Sequence, residues 1–340
     1  MDQKKLWGDL SKNILAQLYL LFGEEEYLVQ FYAKAIEDAA QKSQDMPLYK
    51  DVFEGNRPAS DIILAASTVP FFPGKRLILV KDSKLFAAGR KVDSEAMADF
   101  LQAIPDDTVI VFMESDVDRR LKLYKKAQEV GNVINNERQT TAALVKWLTR
   151  QAKQKGLNLP APVANLIIST CGTGMTNLFF EMEKLTSYAA GTKSITAEDV
   201  AEICTPNLEA RIFGLTKSVG AGDVREALGH YGNLIKLKES PIMILTMIIR
   251  QIRLILLCKL GFELNIPRSK IASDLKIRDF VVSEVSAHGR RFTKEKLLWL
   301  LQDCLDTDVK IKTGLLSDEI GVEMLLLRAA EKRHGGRNFL

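Results

Sequence analysis

Three places in this chain carry residue types suited to nucleotide chemistry, and each lacks a necessary part. The first is Gly23-Glu24-Glu25-Glu26, directly after the apolar run Leu18 to Phe22. In a parallel α/β sheet this turn is where a phosphate-binding loop sits, at a helix N-terminus. Such a loop, GxxxxGK[ST], uses backbone N–H groups to cradle phosphates, Lys for charge and Ser/Thr for Mg²⁺. One glycine and three carboxylates would repel a triphosphate, although acids suit the positive end of a helix. The second place is Met113-Glu114-Ser115, closing the apolar run Val109 to Met113. An ATPase sets an acidic pair there to hold Mg²⁺ and polarise water; here the first acid is missing. The third, Gly74-Lys75-Arg76, has no upstream Gly at the required spacing and no Ser/Thr after the Lys. Gly172-Thr173-Gly174 follows no strand, so it fails the context a dinucleotide loop needs and reads as a tight turn between helices. Intrinsic ATP hydrolysis is not expected.

Other chemistries find no more support. Cys171, Cys204, Cys258 and Cys304 form no CxxC, so neither zinc nor a disulfide framework is suggested, and they read as buried thiols in a reducing compartment. His230, His288 and His334 have no Cys/His partner at ligand spacing. No catalytic residue, cofactor site or metal site is therefore expected. With 47 Lys+Arg against 43 Asp+Glu and 46% hydrophobic residues, the 340-residue chain reads as an ordinary cytoplasmic protein of two or three domains. Its most apolar stretch, Ile242 to Leu257, is interrupted by Arg250 and Arg253 and reads as too short to span a bilayer.

The elements that would position these residues fall into three blocks. In residues 1–140, strands are expected at Leu18–Phe22, Tyr49–Phe53, Leu77–Val80 and Val109–Met113. Helices are expected at Glu24–Ala40 (Leu28, Phe31, Ala35 and Ile36 on one face), Pro58–Ser67 and Ser94–Ala103. Alternating strand and helix argue for a parallel sheet. Residues 141–205 read as a small helical bundle. Thr141–Lys155 carries Leu144, Leu148 and Ala152 beside Trp147, followed by Pro162–Cys171 and Met175–Tyr188. Thr196 and Asp199 open a further helix as a capping-box variant. Residues 206–340 show helical patterns alone, with the stripes Leu297, Leu301, Cys304, Leu305 and Ile320, Met324, Leu327, and a tail from Lys332 that should fray.

One stretch is unusual. In Val69-Pro70-Phe71-Phe72-Pro73-Gly74 the two rings lie between prolines that can neither continue a helix nor donate into a sheet. On the residues themselves two readings stay open: rings folded back under the sheet, or an exposed hot spot for a protein partner.

The segments YLLFGEEEYL (Tyr19–Leu28), VPFFPGKRLILVKD (Val69–Asp82) and DRRLKLYKKAQEVGNV (Asp118–Val133) together resemble the delta subunit of bacterial DNA polymerase III, the clamp-loader wrench of the Gram-positive type. EMEKL at Glu181–Leu185 and Lys312-Thr313-Gly314 match later parts of that family. The resemblance implies a degenerate AAA+ module with a RecA-like parallel sheet and no nucleotide site, then a helical lid and a C-terminal helical collar that mediates oligomerisation. It implies that Phe71 and Phe72, flanked by Val69 and Pro70, insert into the ring-shaped sliding clamp and open one interface. Expected partners are the clamp, ATP-binding loader subunits and delta-prime in a hetero-oligomer, and primer-template DNA within the complex, with no membrane. The chain would be a non-catalytic component of a DNA-directed DNA polymerase holoenzyme.

Two alternatives belong to other classes. One is an active AAA+ ATPase, against which Gly23–Glu26 speaks. The other is a DNA-binding regulator using the helix-turn-helix rhythm of Ser269–Val285, with Ile271, Leu275, Ile277 and Val282 as core. From Asn207 onward 22 basic residues face 16 acidic ones, and Arg290, Arg291, Lys294 and Lys296 cluster as a candidate DNA-backbone contact.

Overall fold

The computed structural model describes residues 3–12, 14–43, 48–68, 74–277 and 279–331. The chain divides into two compact units: residues 1–168 with 173–203, and residues 169–172 with 204–340.

The first unit is built on five parallel strands, β1 (Leu18–Phe22), β2 (Tyr49–Glu54), β3 (Arg76–Lys81), β4 (Thr108–Glu114) and β5 (Asn132–Asn135), in the order β2-β3-β4-β1-β5. Every residue of β1 and β4 is buried, as the unbroken apolar runs require of a sheet covered on both faces. α1 (Gln3–Ser11) precedes β1, and between the strands lie α2 (Glu26–Lys42), α3 (Ala59–Ser67), α4 (Lys91–Phe100) and α5 (Lys122–Val130). Leu20, Ile78, Ile110 and Phe112 meet Ile62, Met97 and Leu123 of α3, α4 and α5 in one core. This is the parallel α/β sheet that the alternation of strands and helices led one to expect.

The helical face of α2 differs from expectation. It buries Leu28, Val29, Tyr32, Ala33 and Ile36, whereas Phe31 is turned outward and packs edge-on against Trp7 of α1 at 5.7 Å. The unforeseen β5 is short and polar but holds the sheet edge by pairing with β1, Leu20 opposite Val133. The same unit carries most of α7 (Ala161–Cys171), together with α6 (Thr141–Gln154), α8 (Met175–Tyr188) and α9 (Ala197–Ile203). Leu144, Leu148 and Ala152 are buried as expected. The capping box is reciprocal: Thr196 N–H donates to Asp199 at 2.8 Å and Asp199 N–H to the Thr196 hydroxyl at 3.2 Å.

The described secondary structure of the second unit is helical, with α10 (Leu208–Ala221), α11 (Val224–Lys236), α12 (Pro241–Glu263), α13 (Arg268–Asp274), α14 (Asp279–Gly289), α15 (Lys294–Lys312) and α16 (Asp318–Ala330). The apolar stretch expected to be too short for a bilayer is part of α12, which at 23 residues has the length and composition of a span. Ile244, Ile248, Ile252 and Ile255 are buried in the helical core, while Arg250 and Arg253 lie on the exposed side. The stripe expected on α16 also faces the other way. Ile320 and Met324 are 53% and 43% exposed, because Val322, Leu325, Leu326 and Ala329 form its core face. On α15 Leu305 is exposed beside buried Leu297 and Cys304. Gly314 ends α15 with φ +75°, and Leu315 N–H donates back to the Lys310 carbonyl. All four cysteines are buried, and burial pushes the Cys304 thiol up to about 12. The tail expected to fray, Lys332–Leu340, lies outside the described residues.

His288 is buried between Phe213 and Phe292, with ring centroids 4.9 and 5.5 Å away. Burial, with Arg291 and Lys217 adding, lowers its pKa from 6.5. The neutral ring therefore contributes stability above pH 6.5 that is lost as pH falls through the lowered value. His288→Phe should flatten that part of the pH–stability curve, measured by denaturant unfolding at a series of pH values.

Candidate functional site

The carboxyl ends of parallel strands are where such sheets bind ligands, and here that edge is filled by the protein's own groups. Gly23 follows β1 at φ +125°, and a side chain there would meet the Asn136 carbonyl oxygen at 2.5 Å. Glu25 N–H donates to that carbonyl at 2.9 Å, and Asn136 N–H donates to the Phe22 carbonyl at 2.6 Å. An amide donor that a phosphate loop would offer is thus spent on the segment after β5. Glu25 is buried, and its carboxylate accepts from the N–H of Met175 at the start of α8. Burial raises its pKa, partly offset by Met175, Arg138 and Tyr27. Exposed Glu24 pairs with Arg138 at 3.0 Å.

Glu114, at the end of β4, is buried in the same edge. It accepts from Ser83 N–H at 3.1 Å, from Lys84 N–H at 3.2 Å and from the Ser83 hydroxyl. Burial raises its pKa, against those donors. Its oxygens hold the turn after β3. No signal in Met113-Glu114-Ser115 announces that task, because Ser83 is 31 positions away.

At the opposite, amino-terminal edge, α3 runs into β3 through the segment that holds Val69, Pro70, Phe71 and Phe72. These four residues lie outside the described residues, as does Pro73; their flanks are described. Arg76, the first residue of β3, donates from its guanidinium to the Ala65 carbonyl near the end of α3. Its N–H donates to the Asp107 carbonyl at 2.8 Å, and Asp51 sits 3.7 Å from its guanidinium. The Thr108 hydroxyl donates to the Ala66 carbonyl at 3.1 Å. The carbonyls of Ala65 and Ala66, in the last turn of α3, are thereby tied to the starts of β3 and β4. Sequence reading picked out the aromatic pair and missed Arg76 and Thr108, whose types are unremarkable at strand starts.

In the second unit, Arg290 and Arg291 lie in the turn after α14, and Lys294 and Lys296 in the first turn of α15. Arg290, Arg291 and Lys294 are exposed, whereas Lys296 is half-buried and burial lowers its pKa. Cations at a helix start oppose its dipole; Glu295 among them, bonded to its own backbone N–H and to Thr293, is held below its ordinary pKa. The helix-turn-helix rhythm resolves into core packing. Ile271 and Val282 are buried, and Leu275 and Ile277 pack on the same cluster.

Comparison with known proteins yields two matching family models. "DNA polymerase III, delta subunit" matches residues 19–137, and "DNA polymerase III delta subunit, C-terminal domain" matches residues 209–329. The chain is 25% identical over 335 residues to DNA polymerase III subunit delta of Bacillus subtilis (strain 168), covering 96% of each. It is 19% identical over 238 residues to a probable DNA polymerase III subunit delta of Aquifex aeolicus (strain VF5), covering 67% of each. Among solved structures it is similar to the Bacillus subtilis DNA clamp loader delta protein (YqeN), with TM-score 0.61 and 26% identity, over 96% of this chain and 99% of that one.

Replacing Glu114 by Ala leaves the Ser83 and Lys84 N–H groups without their buried acceptor. Urea unfolding should show a loss of about 1–3 kcal/mol.

Proposed function

Because the chain belongs to the DNA polymerase III delta-subunit family, we propose that it opens the sliding clamp within its loader, using Phe71 and Phe72 with Val69 and Pro70 as flanks. The observation that carries this reading is the pinning of both flanks. Arg76 and Thr108 tie the end of α3 to β3 and β4, so a short Pro-bounded segment is offered from a fixed base. A rigid mount limits the ordering cost of binding. Two aromatic side chains entering a partner pocket are on the scale of hot spots worth about 2 kcal/mol or more each. Opening then requires only that the wedge bind the open ring better than the closed one.

The remaining parts of the proposal follow the three sequence blocks. Residues 1–140 serve as a scaffold without hydrolysis of their own, supported by the filled carboxyl edge, and residues 141–205 serve as the lid. Residues 206–340 serve as the collar, joining ATP-binding loader subunits and delta-prime. Exposed apolar residues on α15 and α16, among them Leu305, Val309, Ile320 and Met324, supply a surface of the kind that assembly covers. Arg290, Arg291, Lys294 and Lys296 contact the phosphates of primer-template DNA, without base preference and with strong salt dependence.

Two measurements test this. Phe71→Ser/Phe72→Ser, folded by circular dichroism, should weaken binding to the sliding clamp of the same organism at least a hundredfold; unchanged affinity would overturn the wedge. Leu305→Asp/Met324→Asp should leave clamp binding intact and abolish co-elution with the loader subunits in size-exclusion chromatography.

A further inference from the structure

Two of the four cysteines, far apart in sequence, are brought together by the fold. The sulfur atoms of Cys171 and Cys204 lie within 4.8 Å of one another, and both residues belong to the second unit. Cys171 is the last residue of α7, and Cys204 stands in the non-helical stretch between α9 and α10. The two backbones are fixed side by side. Asn207 N–H donates to the Thr170 carbonyl at 2.9 Å, and its side chain caps α10 by accepting from Ala210 N–H at 2.8 Å. Its amide nitrogen lies 2.5 Å from where a side chain on Gly172 would start, and Gly172 has φ +86°. Both thiols are buried, but Thr205 and Pro206, next to Cys204, are exposed, so a small local opening admits a small reagent. Cys258 and Cys304 differ: they lie wholly buried in the helical core, and burial raises both thiols, that of Cys304 to about 12. The chain leaves the second unit after Gly172 and returns to it at Cys204, so residues 173–203 are an excursion that begins and ends beside the thiol pair.

We infer that Cys171 and Cys204 are a redox switch, two thiols at rest and a disulfide once peroxide reaches them. Cys204, beside the exposed stretch, is the attacking group. Its thiolate adds to one peroxide oxygen and the O–O bond breaks, leaving a sulfenic acid, while the departing hydroxide and the thiol proton make water. The Cys171 thiolate then attacks that sulfur; the S–S bond forms, and the hydroxyl leaves with the Cys171 proton as a second water. Two electrons pass from the sulfur pair to the peroxide, and a dithiol reductant reverses the step by exchange. A disulfide spans about 2.05 Å, and a change of staggered rotamer, which moves a sulfur by roughly 3 Å, closes the gap. The bond anchors residues 173–203 at one point in place of two, and so restrains the segments through which the chain passes between the units.

The test treats the full, reduced, folded chain with hydrogen peroxide, then alkylates it and digests it with trypsin. Peptide 156–184, which holds Cys171, should appear joined to peptide 194–211, which holds Cys204. This pairing should exceed any pairing with Cys258 or Cys304 by at least about tenfold and vanish with dithiothreitol. Absence of the joined peptide, or a yield no higher than that of the other pairings, sinks the inference. In Cys171→Ala, dimedone should label Cys204, whose sulfenic acid then has no thiol to meet; a folded variant without that label removes Cys204 as the attacking group. Should the variant prove unfolded, the peptide map of the wild type decides alone. Hydrogen exchange in 169–172 and 204–208 should slow about tenfold on oxidation. Equal exchange in the two states would show a disulfide that restrains nothing, and the switch would fail.

Discussion

The contact on which the architecture turns is the Asn136 carbonyl lying over Gly23. A parallel sheet offers ligands the loops at its carboxyl edge, and the turn after β1 is the natural place for phosphates. Here Gly23 is shaped for close approach, and what approaches is the protein's own backbone, 2.5 Å from where a side chain would start. Glu25 then reaches the first N–H of α8, and Glu114 holds Ser83 and Lys84. Groups that suit a nucleotide in other sheets of this kind are here committed to joining helix and strand ends.

With that edge closed, the recognition segment proposed above belongs to the amino-terminal edge. The segment between α3 and β3 begins where Thr108 and Arg76 secure the last carbonyls of α3 and ends at a strand buried from Leu77 to Val80. Binding energy at a wedge is useful only if the mount does not yield, because energy spent ordering the mount is unavailable for separating a ring interface. The sheet supplies that stiffness. The exposed apolar positions of α15 and α16 lie in the other unit, so the proposed wedge and the proposed assembly surface belong to separately packed cores.

Strands and helices with strong periodicity were legible from the residues: Leu18–Phe22 and Met175–Tyr188 match to the residue. β5 was not, since Asn132-Val133-Ile134-Asn135 is short and polar and gains its pairing only from β1. Helix faces failed where apolar residues ran all round, as in α16, where Ile320 and Met324 had as much claim on the core as Val322 and Leu325. Tertiary packing decided between them. The missing phosphate loop was readable from Gly23–Glu26, but the filling of the turn by Asn136 required contacts over more than a hundred positions. Arg76 and Thr108 were invisible for the same reason: their partners, Ala65 and Ala66, become neighbours only once β3 and β4 are in register.

Direct observation of ring opening tests the central claim. A sliding clamp carrying a self-quenching fluorophore pair across one subunit interface would be titrated with the purified chain alone. The account predicts dequenching that saturates with clamp binding, and none with Phe71→Ser/Phe72→Ser at concentrations up to a hundredfold higher. Saturated binding by the wild-type chain without any dequenching would contradict it, leaving a subunit that holds the clamp and does not open it.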